Sequence, residues 1–497
     1  MQLMRTKSIE QSIRDTEQPE FKLNKTLGAL DLTVFGIGVM VGTGIFVLTG
    51  TAAANNAGPA ISISFVVAAI VCGLAALCYA ELASTVPVAG SAYTFSYAAI
   101  GEFVAWLIGW DLVLEFVVGA SAVSVGWSGY FNGFLESIGL GLPGSLIAAP
   151  GTGGVMNLPA AAIVLVITAL LVVGITVSSR FNQIITAIKV TIILFFIVFG
   201  AFFISTSNWT PFVPQQQGGG QSGTSLDSTV QELIFGSPGA YGFSGIVAGA
   251  AIVFFSYAGF DIIATTSEET RNPQRNMPIG IIGSLAIVTV LYFVVTLVMT
   301  GIVPYSELDT AAPMATALAA TGANWATGLV SLGAIMGITS VIMVLMLGQS
   351  RVAFAMSRDR LLPPWLGRVH PRFRTPYRIT LIVGVAVAIL AAFFPIEALA
   401  ELLNIGTLFA FVLVAIGVIV LRSTRPDLQR AFRVPFVPVL PVLAVLGCGY
   451  LMINLTAITW LRFFGWMVIG VAVYFLYSYR KSRLATGETV EQTAQET

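Results

Sequence analysis

The sequence predicts an all-α membrane protein with twelve transmembrane helices. Three observations carry that prediction. Of the 497 residues, 56% are hydrophobic and only 10% are charged. A soluble domain uses about 25% charged residues to coat its surface, so an ordinary soluble enzyme is excluded. Charge-free runs cover 32–80, 137–179, 190–226 and 310–350, each with room for an apolar span of about 20 residues. The cations are also segregated: all but two of the 24 Lys and Arg fall in the tails and in alternate connections.

Residues 1–27 form a polar tail carrying Arg5, Lys7, Arg14, Lys22 and Lys25. The apolar segment that follows is long enough to stay in the bilayer, so no cleavable signal peptide is expected. Windows of about 19 residues then place spans at 28–53, 59–83, 98–124, 158–178, 182–205, 243–266, 279–303, 326–350, 379–395, 400–421, 436–454 and 459–478. Arg180, the pair Arg271 and Arg275, the cluster from Arg351 to Arg378, and the group Arg422, Arg425, Arg430 and Arg433 fall on the side of the N-terminus, as does the tail 481–497. Both termini are therefore expected in the cytoplasm. The long connection 206–242 lies on the other side, and its Gln-, Gly- and Ser-rich stretch 215–225 reads as a flexible loop. Formal net charge is zero and by itself says nothing about partners; no nucleic-acid partner is expected. Cys72, Cys78 and Cys448 sit in apolar runs and imply no disulfides. A single histidine, His370, offers no catalytic or metal cluster, and no cofactor is expected.

Two spans carry helix breakers. The first holds Gly36, Gly38, Gly42 and Gly44 within nine residues, each costing about 1 kcal/mol relative to Ala. The sixth holds Phe255, Ser256, Tyr257, Ala258 and Gly259, followed by Asp261. Taken singly, such glycines fit close helix packing as well as they fit an opened backbone. The first and sixth spans run in opposite directions, however, and paired interruptions in such spans point to an inverted-repeat carrier with its site at the midplane. Where the first span restarts, the N–H groups of Thr43, Gly44 and Ile45, preceded by Gly42, suit a carboxylate. Carbonyls left unpaired before each break suit an ammonium. A ligand with both groups close together is an α-amino acid.

These breaks, together with 267–278 (Ser-Glu-Glu-Thr-Arg-Asn-Pro-Gln-Arg-Asn-Met-Pro) and 357–363 (Ser-Arg-Asp-Arg-Leu-Leu-Pro), resemble the amino acid–polyamine–organocation permeases. The bacterial branch similar to the cationic amino acid transporters is the closest match, and the resemblance runs from about 27 to 480. Two features depart from the pattern: Arg360 stands where that motif usually has Gly, and the 206–242 connection is longer. The resemblance implies a leucine-transporter-like, five-plus-five inverted repeat (28–205 and 243–421) with the last two spans (436–478) outside it. It also implies proton-coupled uptake of L-amino acids, cationic ones included, through the cell membrane.

Lys189 lies nine residues beyond Arg180, about 13 Å into the fifth span, where insertion costs about 2.5–3.5 kcal/mol. It either snorkels to the cytoplasm or serves as a buried, proton-exchanging amine. In the resembling family a lysine here replaces an ion between the first and eighth spans, with Thr339 and Ser340 as neighbours in the eighth. Asp111 and Glu115 share one face of the third span, with Gly119 a turn further. Glu115 is read as facing the substrate, or else as a hydrogen-bonded carboxyl in packing; Asp111 is read as structural. Phe255 and Tyr257 either line the pocket or pack between helices. Glu268, Arg271 and Arg275 form either a cytoplasmic latch or a solvated charge cluster. A membrane enzyme lacks a nucleophile or metal constellation here, and a channel lacks a continuous polar lining. Proton symport is the first reading and exchange of amino acids or polyamines the runner-up, and the sequence does not distinguish them.

Overall fold

The structure is a computed structural model that describes residues 5, 25–88, 90–174, 179–216, 226–236, 240–373 and 375–486. The stretch 217–225, most of the expected flexible loop, and most of the 1–27 tail lie outside them. The described residues are helical, with isolated bridges such as Leu27 to Thr270 in place of any sheet.

Every predicted window overlaps a helix, with 175–178 of the fourth window outside the described residues. The first holds α1 (Ala29–Met40) and its continuation α2 (44–57). Then follow α3 (Ile61–Thr85), α4 (Glu102–Ser137), α5 (Leu158–Val173), α6 (Ser179–Ala201) and α7 (Gly242–Val253). The remainder are α8 (Pro273–Ile302), α9 (Asn324–Arg358), α10 (Tyr377–Phe393), α11 (Ile396–Thr424), α12 (Val439–Ile453) and α13 (Ala457–Val473). Eight helical segments among the described residues are long and apolar enough to cross a membrane, so the chain is a multi-pass membrane protein. Shorter apolar helices include α1, α5, α10 and α12. The 98–124 window begins early, because Gly101 at φ 133° stops a short helix, Ala92–Ala99, before α4 begins.

Burial orders the helices from centre to edge. In the apolar window of 242–269, 89% of the residues are buried, against 22% in that of 457–486. The outer face carries Val290, Val385 and Leu446, apolar side chains exposed toward lipid. Around the centre, α4 packs along α9 and α11, while α8 packs along α3 and α1. A buried carboxylate ties down the α11–α12 connection. Glu81 of α3 accepts from Arg422 at 2.6 Å and 2.9 Å and from the Val434 N–H at 2.7 Å.

Candidate functional site

Both breaks are present and they meet. After Met40 the chain bends through Val41 and Gly42, and helix resumes from Thr43. The Phe46 N–H is bonded to the Gly42 carbonyl, so Thr43, Gly44 and Ile45 precede the first bond of the new turn. Across from it, α7 tightens into a 3₁₀ turn, Phe254–Tyr257, and opens at Ala258 and Gly259. Gly259 takes φ 126°, which favours glycine, and its N–H is held at 3.0 Å by the Asp261 carboxylate at the start of the 3₁₀ stretch Asp261–Glu269.

A Cβ built on Gly44 would lie 2.5 Å from the Ser256 Cα, so these two breaks touch backbone to backbone. The Ser256 hydroxyl at this junction is buried and has no hydrogen-bond partner. The Tyr292 hydroxyl of α8 lies 2.6 Å from the Met40 carbonyl oxygen and 3.1 Å from that of Ser256. A hydroxyl has one proton, so it cannot fully satisfy both acceptors. The last carbonyl of α1 and a carbonyl beside the second break thus share one donor. The site therefore combines helix N–H donors, an unpartnered hydroxyl and two half-satisfied carbonyls.

The other expected residues divide. Thr43 donates to the Val123 carbonyl of α4 at 3.2 Å, and Gly42 lies against Val341 of α9. Ile45 is buried and Phe255 nearly so, while Ala258 is extended at the break. The Tyr257 ring takes the packing alternative: its hydroxyl donates to the Phe65 carbonyl at 3.1 Å and its ring meets Phe65 and Tyr292. Gly119 is packed against Leu403 of α11. Glu115 is buried near Thr407 of α11 and the Asp261 carboxylate, and one of its oxygens is unpartnered. Both carboxylate oxygens of Asp111 are buried and unpartnered beside Gly406.

Lys189 is fully buried, with Nζ 2.5 Å from the Gly38 carbonyl of α1. Its stem fills the space beside Gly337 of α9, where an added Cβ would lie 2.9 Å from Cγ. The amine thus joins α1, α6 and α9 rather than reaching out to the cytoplasm. Ser340 donates to the Gly337 carbonyl at 2.9 Å. Thr339 turns elsewhere, accepting from the Trp127 indole of α4 at 2.9 Å, because two residues along a helix rotate its side chain about 200° from Gly337. Sequence reasoning missed Thr186, whose buried hydroxyl is unpartnered beside Gly38 one turn before Lys189. It also missed Tyr292, which is a lone tyrosine within an apolar span.

At the end nearer the described termini, a cavity of about 100 Å³ is lined by Asp31, Gln183, Thr266, Glu269 and Arg351 among others. Two contacts join its lining residues: Gln183 donates to Asp31 at 2.7 Å, and Arg351 pairs with Glu269 at 3.2 Å. Of the expected latch residues, Arg271 donates its backbone N–H to the Leu27 carbonyl and its guanidinium Nε–H to the Lys25 carbonyl. Arg275 lines a separate, open groove with Phe432, and Glu268 neighbours the Glu269 that makes the ion pair.

The family described as amino acid permease matches residues 27–478. The chain is similar to the methylthioribose transporter of Bacillus subtilis, 47% identical over 464 residues, covering 93% of this chain and 95% of that one. It is equally similar to the branched-chain amino acid permease BcaP of the same organism, 47% identical over 487 residues, covering 97% and 99%. To the vacuolar cationic amino acid transporter 4 of Arabidopsis thaliana it is 37% identical over 428 residues, covering 86% of this chain and 68% of that one.

Proposed function

The chain belongs to the amino acid permease family, and on that premise we propose that it is a secondary carrier bringing L-amino acids into the cell together with protons. The observation that carries this reading is the meeting of two helix breaks around an unpartnered Ser256 hydroxyl and two carbonyls that share the Tyr292 proton. The substrate carboxylate takes the N–H groups of Thr43, Gly44 and Ile45 and the Ser256 hydroxyl, at the positive end of the α2 dipole. Its ammonium takes the Met40 and Ser256 carbonyls and displaces the Tyr292 hydroxyl. Gly42, Phe255 and Ala258 shape the backbone around it, and Glu115 and Gly119 on α4 bound the side-chain end.

Lys189 supplies the coupling. Protonated, it donates to Gly38 and holds α1 against α6 and α9. Deprotonated, it loses one N–H donor and its charge, and α1 is released toward the cavity at Asp31 and Glu269. Sodium has no part in this cycle. The carrier is read with twelve spans, α1 and α2 counting as one and the shorter apolar helices included, a reading supported by eight long apolar segments and four shorter ones among the described residues. The first five and next five form inverted repeats, with both termini on the cytoplasmic face of the cell membrane.

The equal similarity to a methylthioribose transporter favours a second substrate reading, a neutral thio-sugar. Proteoliposome uptake of each L-amino acid and of methylthioribose, with and without acidification outside, separates the two. The expected result is sodium-indifferent accumulation of amino acids driven by the proton gradient. A sodium requirement, or accumulation only against a preloaded counter-substrate, overturns symport. Cysteines introduced singly at 215–225 on a cysteine-free background should label from outside only; labelling from the cytoplasm alone overturns the orientation.

A further inference from the structure

On the side away from the described termini, a cavity of about 350 Å³ opens above the helix breaks. Leu48 of α2 and Ile252 of α7 line it, and each stands four residues, about 6 Å, from a break residue, Gly44 and Ser256 respectively. Its walls carry four carboxylates, Asp227, Glu232, Glu397 and Glu401, and among the described residues neither a lysine nor an arginine lines it. An acidic cluster alone says little, but Asn404 of α11 also lines this cavity. Asn404 is fully buried, and its amide nitrogen donates to the Ala251 and Ile252 carbonyls at 2.8 Å and 3.3 Å. Those bonds fix which way the amide faces, and its oxygen is left without a partner. A buried acceptor and four carboxylates thus share one cavity.

The charges suit one class of guest. Glu232 accepts from the Thr229 N–H at 2.9 Å, and Glu401 accepts from the Thr456 and Thr459 hydroxyls. Among the described residues, no grouping of His, Cys, Asp and Glu could hold a metal ion. This side also carries Glu136 at the end of α4 and Glu307 and Asp309 in the connection after α8 against a single Arg462 in α13, a field that draws cations in. A zwitterion such as leucine has no net charge to gain from that field. An amino acid with a guanidinium or ammonium side chain does.

We propose that this cavity is a waiting site for amino acids with a cationic side chain, received by the Asn404 amide oxygen and the Glu397 and Glu401 carboxylates before passing to the helix breaks. The inference deepens the amino acid carrier reading and rests on it. Its test is uptake of L-arginine and of L-leucine into proteoliposomes by the wild type, by Glu397→Gln, and by the Glu397→Gln/Glu401→Gln pair, at low and high salt. Glutamine keeps the acceptor that the two threonines use, and the single variant serves if the double fails to fold. The arginine KM should rise about fivefold or more in the variants at low salt, and salt should shrink the difference. The leucine KM should stay within about twofold. Equal changes for both substrates overturn the waiting site, as does leucine uptake by a wild type that does not carry arginine. Either result leaves amino acid transport standing. If neither these nor any other L-amino acid accumulates, the carrier reading itself fails, and the inference with it.

Discussion

Gly44 and Ser256 meet where the two broken helices cross: a Cβ on the glycine would stand 2.5 Å from the serine Cα and 2.7 Å from its Cβ. Close packing and an opened backbone are therefore not alternatives at this residue. The flank of Gly44 packs against Ser256 while its N–H belongs to the first turn of a restarted helix. Replacing Gly44 with any larger residue disturbs the fold as well as the site, because the obstructing atom is backbone.

Ser256→Ala is the cleaner probe. The hydroxyl it removes has no partner in the unliganded protein, so unfolding stability should change by less than about 0.5 kcal/mol. Substrate binding should weaken about tenfold, or about 1.4 kcal/mol, if that hydroxyl meets the carboxylate. Unchanged affinity in an equilibrium binding measurement would remove Ser256 from the site.

Tyr292→Phe strips the shared donor from the Met40 and Ser256 carbonyls. Leaving buried acceptors unpaired costs about 1–3 kcal/mol, so the substrate-free protein should melt earlier. Where an ammonium replaces the hydroxyl, the bound protein escapes that cost. The substrate-induced rise in melting temperature should therefore be larger in the variant than in the wild type. A smaller rise would mean that the hydroxyl stays and holds the substrate.

Lys189→Met fills much of the space beside Gly337 without a titratable group. Substrate affinity should stay within about threefold, a cost near 0.65 kcal/mol. Accumulation driven by acidification outside should vanish. Vesicles of this variant that still concentrate substrate to wild-type levels would exclude Lys189 from coupling.

For Glu115→Gln, the ranking of substrates is the readout. A carboxylate that meets the side chain makes cationic amino acids lose most. An equal loss across the series would instead tie Glu115 to its neighbours Thr407 and Asp261.

Arg360 adopts φ 57°, in the left-handed region where a side chain costs about 1–2 kcal/mol. That conformation explains why glycine suits this place in the motif. Arg360→Gly should raise the melting temperature and leave transport unchanged; a lower one would show that the arginine's contacts outweigh the strain.

Much was legible without coordinates. Composition and charge-free runs located the helices, because apolar segments must bury or face lipid wherever their neighbours lie. The breaks at Gly42–Gly44 and at Ala258–Gly259 were legible because glycines weaken a helix locally. The motif resemblance to a permease family agrees with the family match over 27–478. Lys189 stood out as the one charge in the fifth span, 182–205, though the sequence left snorkelling and burial both open.

Contacts between helices were decided only by the tertiary structure. Tyr292 lies 252 residues from Met40 and 36 from Ser256, and no local pattern marks it as the donor both breaks share. Helical phase is equally hidden. Gly337 and Thr339 are two residues apart, yet one faces Lys189 and the other faces Trp127. Likewise it is Glu269 that the bundle brings to Arg351, at 3.2 Å. Periodicity along one helix reports which residues share a face, but the direction of that face depends on how neighbouring helices pack, and that packing is a property of the assembled bundle.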